Sequence, residues 1–157
     1  MGKTMAAGTA RTEAWSVILV SDDLGLADSL HALLARAPEA SLSVTGTADA
    51  LVSLRKLVCD AVLLDADSLT DVARMAGAAV LIQPAPVAVI GLAVTPGSQG
   101  YDLCRSRGAS LIHAKVSGMA DPLLAGPAGD NLLAGLRALI SQDANLPPQQ
   151  EATNAGH

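Results

Sequence analysis

The residues of this chain best suited to chemistry are acids that stand directly behind short apolar runs. Asp22 and Asp23 follow closely on Val17-Ile18-Leu19-Val20, while Asp65 and Asp67, with Ala66 between them, follow Ala61-Val62-Leu63-Leu64. Thr95 closes a further apolar run that starts at Val87, and Lys115 stands just past another at 109–113. Carboxylates crowded at neighbouring strand ends repel one another, and burying them unpaired is costly. A hard divalent cation removes both penalties, and Mg²⁺ takes a few carboxylates together with phosphate oxygens and water. Lys115 is one of three lysines, the others being Lys3 and Lys56. An ammonium at that position would balance the carboxylates and grip a phosphoryl oxygen. Taken singly, each residue has a plainer reading, with Asp22 and Asp23 as helix N-caps, Asp65 as a loop acid and Lys115 as a surface amine. Their joint placement predicts a site.

The residues share one edge only if the apolar runs are parallel strands. Residues 17–20 form a β-branched run without a polar break, as expected of a strand covered on both faces. Leu26, Leu30, Leu33, Leu34 and Ala37 recur at helical spacing and predict a helix over 24–37, ended by Pro38. Further along, strands are expected at 42–45, 61–64, 87–94 and 109–113. Helices are expected at 49–58, at 69–79 and at 101–107, where Gly108 supplies the stop, and Asp130 is expected to cap a last one. Five such βα units imply a doubly wound α/β fold with a parallel sheet and right-handed crossovers. Chemistry in such sheets gathers outside the carboxyl ends of the strands. Residues 1–14 and 143–157 lack periodicity and read as a flexible N-terminal tail and a disordered C-terminal tail.

Composition narrows the function. The 157 residues are 50% hydrophobic and carry a net charge of −5, with one Trp, one Tyr and no Phe. Such a chain lacks the basic stripe and the stacking platforms of a direct nucleic-acid binder. Gln83, Pro84 and Pro86 interrupt the longest apolar stretch, so no membrane span is expected. Cys59 and Cys104 each sit in an apolar stretch without metal-ligand spacing and read as buried thiols in a reducing compartment. With no signal peptide expected, the predicted location is cytoplasmic.

The succession VILVSDD, CDAVLLDAD, VIGLAVT and GASLIHAK resembles a response-regulator receiver domain over residues 15–142. The resemblance implies a flavodoxin-like (βα)5 sheet with strand order 2-1-3-4-5. It implies Mg²⁺ as cofactor, held by Asp22, Asp23, Asp65 and the backbone carbonyl of Asp67. Asp65 becomes the phosphoacceptor, supported by Lys115 and by a switch hydroxyl at the end of the fourth strand. Counted from the end of that strand the switch position is Thr95, and counted from its start it is Gly91. Ile112 and Val116 stand where receivers carry an aromatic and a proline, and the connection 117–129 is long and rich in Gly and Pro. The implied partners are a histidine kinase or histidine phosphotransfer protein and a downstream protein docking on the face of the fourth helix, fifth strand and fifth helix. A homodimer through that face is a further expectation.

Two other readings compete with a phosphorylated receiver. The intact acids with an eroded relay also describe a pseudo-receiver, a phosphorylation-independent interaction module. Asp65-Ala66-Asp67 further resembles the opening motif of haloacid-dehalogenase phosphatases, but Leu69 stands where that motif wants Thr or Val, and the late acidic pair is lacking. No enzymatic turnover is expected beyond, at most, slow self-dephosphorylation of the phosphoacceptor. Among lesser features, His31 reads as a partly buried helix residue and His113 as a hydrogen-bonded neighbour of the site. Gly97-Ser98-Gln99-Gly100 reads as a mobile loop over the site, and Trp15 as an anchor for the N-terminal tail at the sheet edge.

Overall fold

The computed structural model describes residues 14–92, 94–114 and 126–145. Its sheet consists of β1 (Trp15–Val20), β2 (Ala40–Thr45), β3 (Ala61–Asp65), β4 (Val87–Gly91) and β5 (Leu111–Ala114). The strands are parallel and lie in the order β2-β1-β3-β4-β5. The helices are α1 (Leu24–Leu34), α2 (Ala50–Lys56), α3 (Val72–Ile82), α4 (Gln99–Ser106) and α5 (Pro127–Asn145), with a 3-10 turn at Thr47–Asp49 before α2.

Alternation along each strand divides the core in two. Val17, Leu19, Leu63 and Ile90 pack with Leu30 of α1 and Leu132 and Leu136 of α5. Ile18, Val20, Leu64 and Val89 pack on the other face with Leu54, Ala76 and Cys104 from α2, α3 and α4. All five residues of β3 and of β4 are buried, which is why these strands read as unbroken apolar runs. The alanines of α3 at 73, 76 and 79 face inward, and their small size brings that helix close to the sheet. Cys59 and Cys104 are free and buried, and burial, reinforced by nearby Asp60, pushes the Cys59 thiol up to about 11.

Several boundaries move for local reasons. β1 begins at Trp15, inside the sheet rather than at its edge, and the indole donates to Glu39. α2 stops at Lys56, because Leu57 turns extended and the buried Gln83 side chain donates to the carbonyls of Leu54 and Leu57. Leu57 and Val58 therefore face solvent instead of continuing the helix's inner side. α3 starts at Val72 because the Asp71 carboxylate accepts from Arg74 N and caps it. The last helix starts at Pro127, so Asp130 is not its cap but lies in the first turn, where its carboxylate meets Arg36. That helix also runs to Asn145, into the segment expected as a tail. Apart from Ala14, the rest of both expected tails lies outside the described residues. His31 is exposed, with its ring nitrogen against Ala27 O. Gly108, at φ 112°, makes the turn after α4.

His113 is half-buried on β5, and burial lowers its pKa below the ordinary histidine value. The unfolded chain takes up that proton near pH 6.5, while the folded chain does so only at lower pH. The neutral ring therefore contributes stability above about pH 6.5 that is lost as pH falls through the folded value. His113→Gln should flatten this part of the slope, measured as the difference in urea midpoint between pH 7.5 and pH 5.5 for the two proteins.

Candidate functional site

Asp65 ends β3 and lies beside Ile90 of β4, with no solvent exposure. A carboxylate so placed must have its oxygens satisfied by the protein. Oδ2 accepts from Ser21 Oγ at 2.7 Å and from Ser68 Oγ at 2.8 Å, and Oδ1 accepts from Asp67 N at 3.1 Å. Each hydroxyl is held in turn by a backbone amide of the loop after β1. Asp23 N donates to Ser21 Oγ at 2.9 Å, and Asp22 N donates to Ser68 Oγ at 3.0 Å. Two amides thus polarise two hydroxyls that converge on one carboxylate oxygen, and chains of this kind strengthen each member. The arrangement needs Ser21 at the first position beyond β1 and Ser68 three residues beyond Asp65, where the chain turns back on itself.

The remaining acids have their own attachments. The Asp22 carboxylate accepts from Thr47 N at 2.9 Å and Thr47 Oγ1 at 2.6 Å, so it joins the loop after β1 to the loop after β2. These bonds, that from the Thr47 hydroxyl above all, hold its pKa below the ordinary carboxylate value. Gly46 permits the approach, since a Cβ there would lie 3.0 Å from Asp22 Oδ1. Asp23 caps α1, its Oδ1 accepting from Gly25 N at 2.9 Å and Leu26 N at 3.2 Å. Asp67 accepts from Leu92 N at 3.1 and 3.2 Å and so fastens the loop after β3 to the exit of β4.

The structure therefore brings Ser21, rather than the carboxylate of Asp22 or Asp23, against Asp65. Among the described residues, no three His, Cys, Asp or Glu side chains come together as a group that could hold a metal ion. A divalent cation calls for several oxygens free to turn toward it. Of the three carboxylates assigned to it on sequence, that of Asp22 is drawn to Thr47, that of Asp23 to the first turn of α1 and that of Asp65 to the Ser21 and Ser68 hydroxyls. Lys115 lies outside the described residues.

The fourth strand ends at Gly91, opposite Ala114, and not at Val94 as expected. Gly91 thus occupies the strand end, and Thr95 lies four residues beyond it, its carbonyl accepting from Ser98 N in the turn before α4. A Cβ on Gly91 would lie 2.6 Å from the Ala66 Cβ, so no hydroxyl-bearing side chain fits there without a shift. The expected loop over the site is largely helix, since Ser98 caps α4 and Gln99 and Gly100 form its first turn. Sequence reasoning passed over Ser21, Ser68 and Thr47. Their signal was present in the spellings S-D-D and D-A-D-S, where a serine beside an acid can satisfy backbone amides as well as the acid itself.

Two substitutions read this geometry. Asp65→Asn replaces an acceptor by an amide donor facing hydroxyl and amide donors, and should destabilise the fold by about 1–3 kcal/mol in urea unfolding. A carboxylate crowded by other acids would give the opposite sign, because removing its charge would relieve repulsion. Gly91→Ser should cost about 1–3 kcal/mol by overpacking against Ala66, and Ala66→Gly in the same chain should recover most of that loss.

No family model and no curated protein matches this chain, whereas its fold has many solved counterparts. The response regulator domain of Thermotoga maritima CheB superposes with a TM-score of 0.72 at 15% identity, covering 82% of this chain and 98% of that one. The receiver domain of the sensor histidine kinase PA1611 from Pseudomonas aeruginosa PAO1, solved with magnesium in its active-site cleft, gives 0.61 at 17% identity, covering 82% and 98%. A structure of the CheA3 P1 domain in complex with CheY6 from R. sphaeroides gives 0.61 at 20% identity with the same coverages. With five parallel strands in the order 2-1-3-4-5, helices on both faces and an aspartate closing the central strand, the chain has the flavodoxin-like fold of response-regulator receiver domains.

Proposed function

We propose that this receiver fold works as a phosphorylation-independent protein-interaction module, with Asp65 serving as a fixed strut of the sheet edge. The observation that carries this reading is the burial of Asp65 behind the Ser21 and Ser68 hydroxyls, both directed at one of its oxygens. To accept a phosphoryl group, Asp65 would have to release donors at the attacking oxygen, both hydroxyls at Oδ2 or Asp67 N at Oδ1, and meet a donor from solvent. Gly91 adds to the argument, because a strand end without a hydroxyl offers no side chain to pull toward a phosphorylated aspartate. The module's signal then lies in what its surface holds, and the face of α4, β5 and α5 remains the expected partner surface.

The competing reading keeps Asp65 as a phosphoacceptor served by a phospho-histidine on a kinase or phosphotransfer protein. Its specific support is the position of Asp65 at the carboxyl end of the central strand, together with the structural match to a complex of the CheA3 P1 domain with CheY6. It needs Mg²⁺, which it draws to Asp22, Asp23 and Asp65 although no three such side chains stand grouped among the described residues, and it assigns Lys115 to the phosphoryl oxygens.

Intact-mass spectrometry after incubation with Mg²⁺ and acetyl phosphate separates the two. The expected result is an unmodified mass in both the wild-type protein and Asp65→Asn. Stoichiometric addition of one phosphoryl group to the wild type, absent from Asp65→Asn, would establish the phosphoacceptor instead.

A further inference from the structure

Beside the Asp65 network, between α2 and α3, lies a cavity of about 390 Å³, within the range of roughly 300–1,000 Å³ common for small-molecule sites. Leu51, Leu69 and Met75 give it an apolar wall, and Thr47, Ser68 and Arg74 a polar one. Leu51 is 38% exposed, so a large apolar side chain is offered on this wall. Arg74 makes no ion pair among the described residues, where the ion pairs join Arg36 to Asp130 and Arg137 to Glu39. The acid in the lining, Asp71, already accepts from Arg74 N at 3.1 Å as the cap of α3. The lining therefore offers a hydrocarbon surface, hydroxyls and one guanidinium without a carboxylate partner.

We propose that this cavity binds a small amphipathic anion, a carboxylate or sulfonate on a hydrocarbon body, and that its occupancy is felt at Asp65. The coupling follows from two shared side chains. Thr47 supplies both bonds to the Asp22 carboxylate, and the Ser68 hydroxyl accepts from Asp22 N while donating to Asp65. A headgroup that engages either hydroxyl competes with these acids and shifts the loop after β1. Arg74 sets the charge of the ligand, because a guanidinium favours a carboxylate or sulfonate over a neutral group of the same size. The inference goes beyond the interaction-module reading and stands whether or not Asp65 accepts a phosphoryl group.

The test is a fluorescence titration of the full chain with 1-anilinonaphthalene-8-sulfonate, followed by displacement with octanoate. One saturable site is expected, with octanoate releasing the dye. Arg74→Gln should weaken binding about tenfold, the equivalent of ~1.4 kcal/mol. Leu51→Glu, which sets a negative charge on a partly exposed wall position, should abolish binding. Unchanged melting midpoints in both variants would show that the fold is kept. In amide NMR spectra, octanoate should move the resonances of Asp22 and Asp65. Absence of saturable binding would overturn the proposal, as would binding indifferent to both variants, which would put the dye on another apolar surface such as exposed Val58 and Leu81. Saturable binding that leaves the Asp22 and Asp65 amides unmoved would overturn the coupling.

Discussion

A carboxylate with no solvent exposure at the end of the central strand is the constraint around which this sheet edge is organised. Burial without partners would cost several kcal/mol or force protonation. The chain answers with donors drawn from its own loops. Ser21 and Ser68 give hydroxyls, Asp67 gives an amide, and the amides of Asp22 and Asp23 orient the hydroxyls. Because these donors come from both the β1 and the β3 exits, satisfying Asp65 also fixes the two loops to each other.

The same logic extends outward. Asp22 ties the β1 exit to Thr47 at the β2 exit, and Asp67 ties the β3 exit to Leu92 at the β4 exit. Four neighbouring strand ends are thereby joined by acids that accept from backbone amides and hydroxyls. Acids held as staples are turned to separate partners, and among the described residues no three His, Cys, Asp or Glu side chains form a group that could hold a metal ion. The small residues Gly91 and Ala66 reinforce this, since their close contact fills the space a switch side chain would occupy.

Beneath the edge, the fold rests on ordinary burial. β3 and β4 are sealed by helices on both faces, and the two core clusters need only alternating side chains and helix faces of moderate apolarity. At 15–20% identity to the three solved structures compared above, the fold persists while most residues differ. Close packing accepts many apolar combinations so long as pattern and volume are kept. A site has no such tolerance, because one hydroxyl in place of one carboxylate changes its chemistry.

That asymmetry marks what the sequence determined by itself. Strand periodicity, helical leucines and glycine stops are local signals, and they were enough for five βα units, a parallel α/β sheet and, with the receiver resemblance, the order 2-1-3-4-5. Asp65 at a strand end was equally legible, since an acid directly after a buried run has nowhere else to go. The direction in which each acid turns was not legible. Asp22 and Asp23 are adjacent in the chain, yet one reaches Thr47 and the other the first turn of α1, while Ser21, which carries no charge to attract notice, meets Asp65. The end of β4 lies at Gly91 and not at Val94 for a related reason, because an apolar run records that residues are covered but not where the strand stops. The Asp23 cap is local, but the partners of Ser21 and Asp22 lie more than twenty residues away, and only the folded chain brings those atoms within reach.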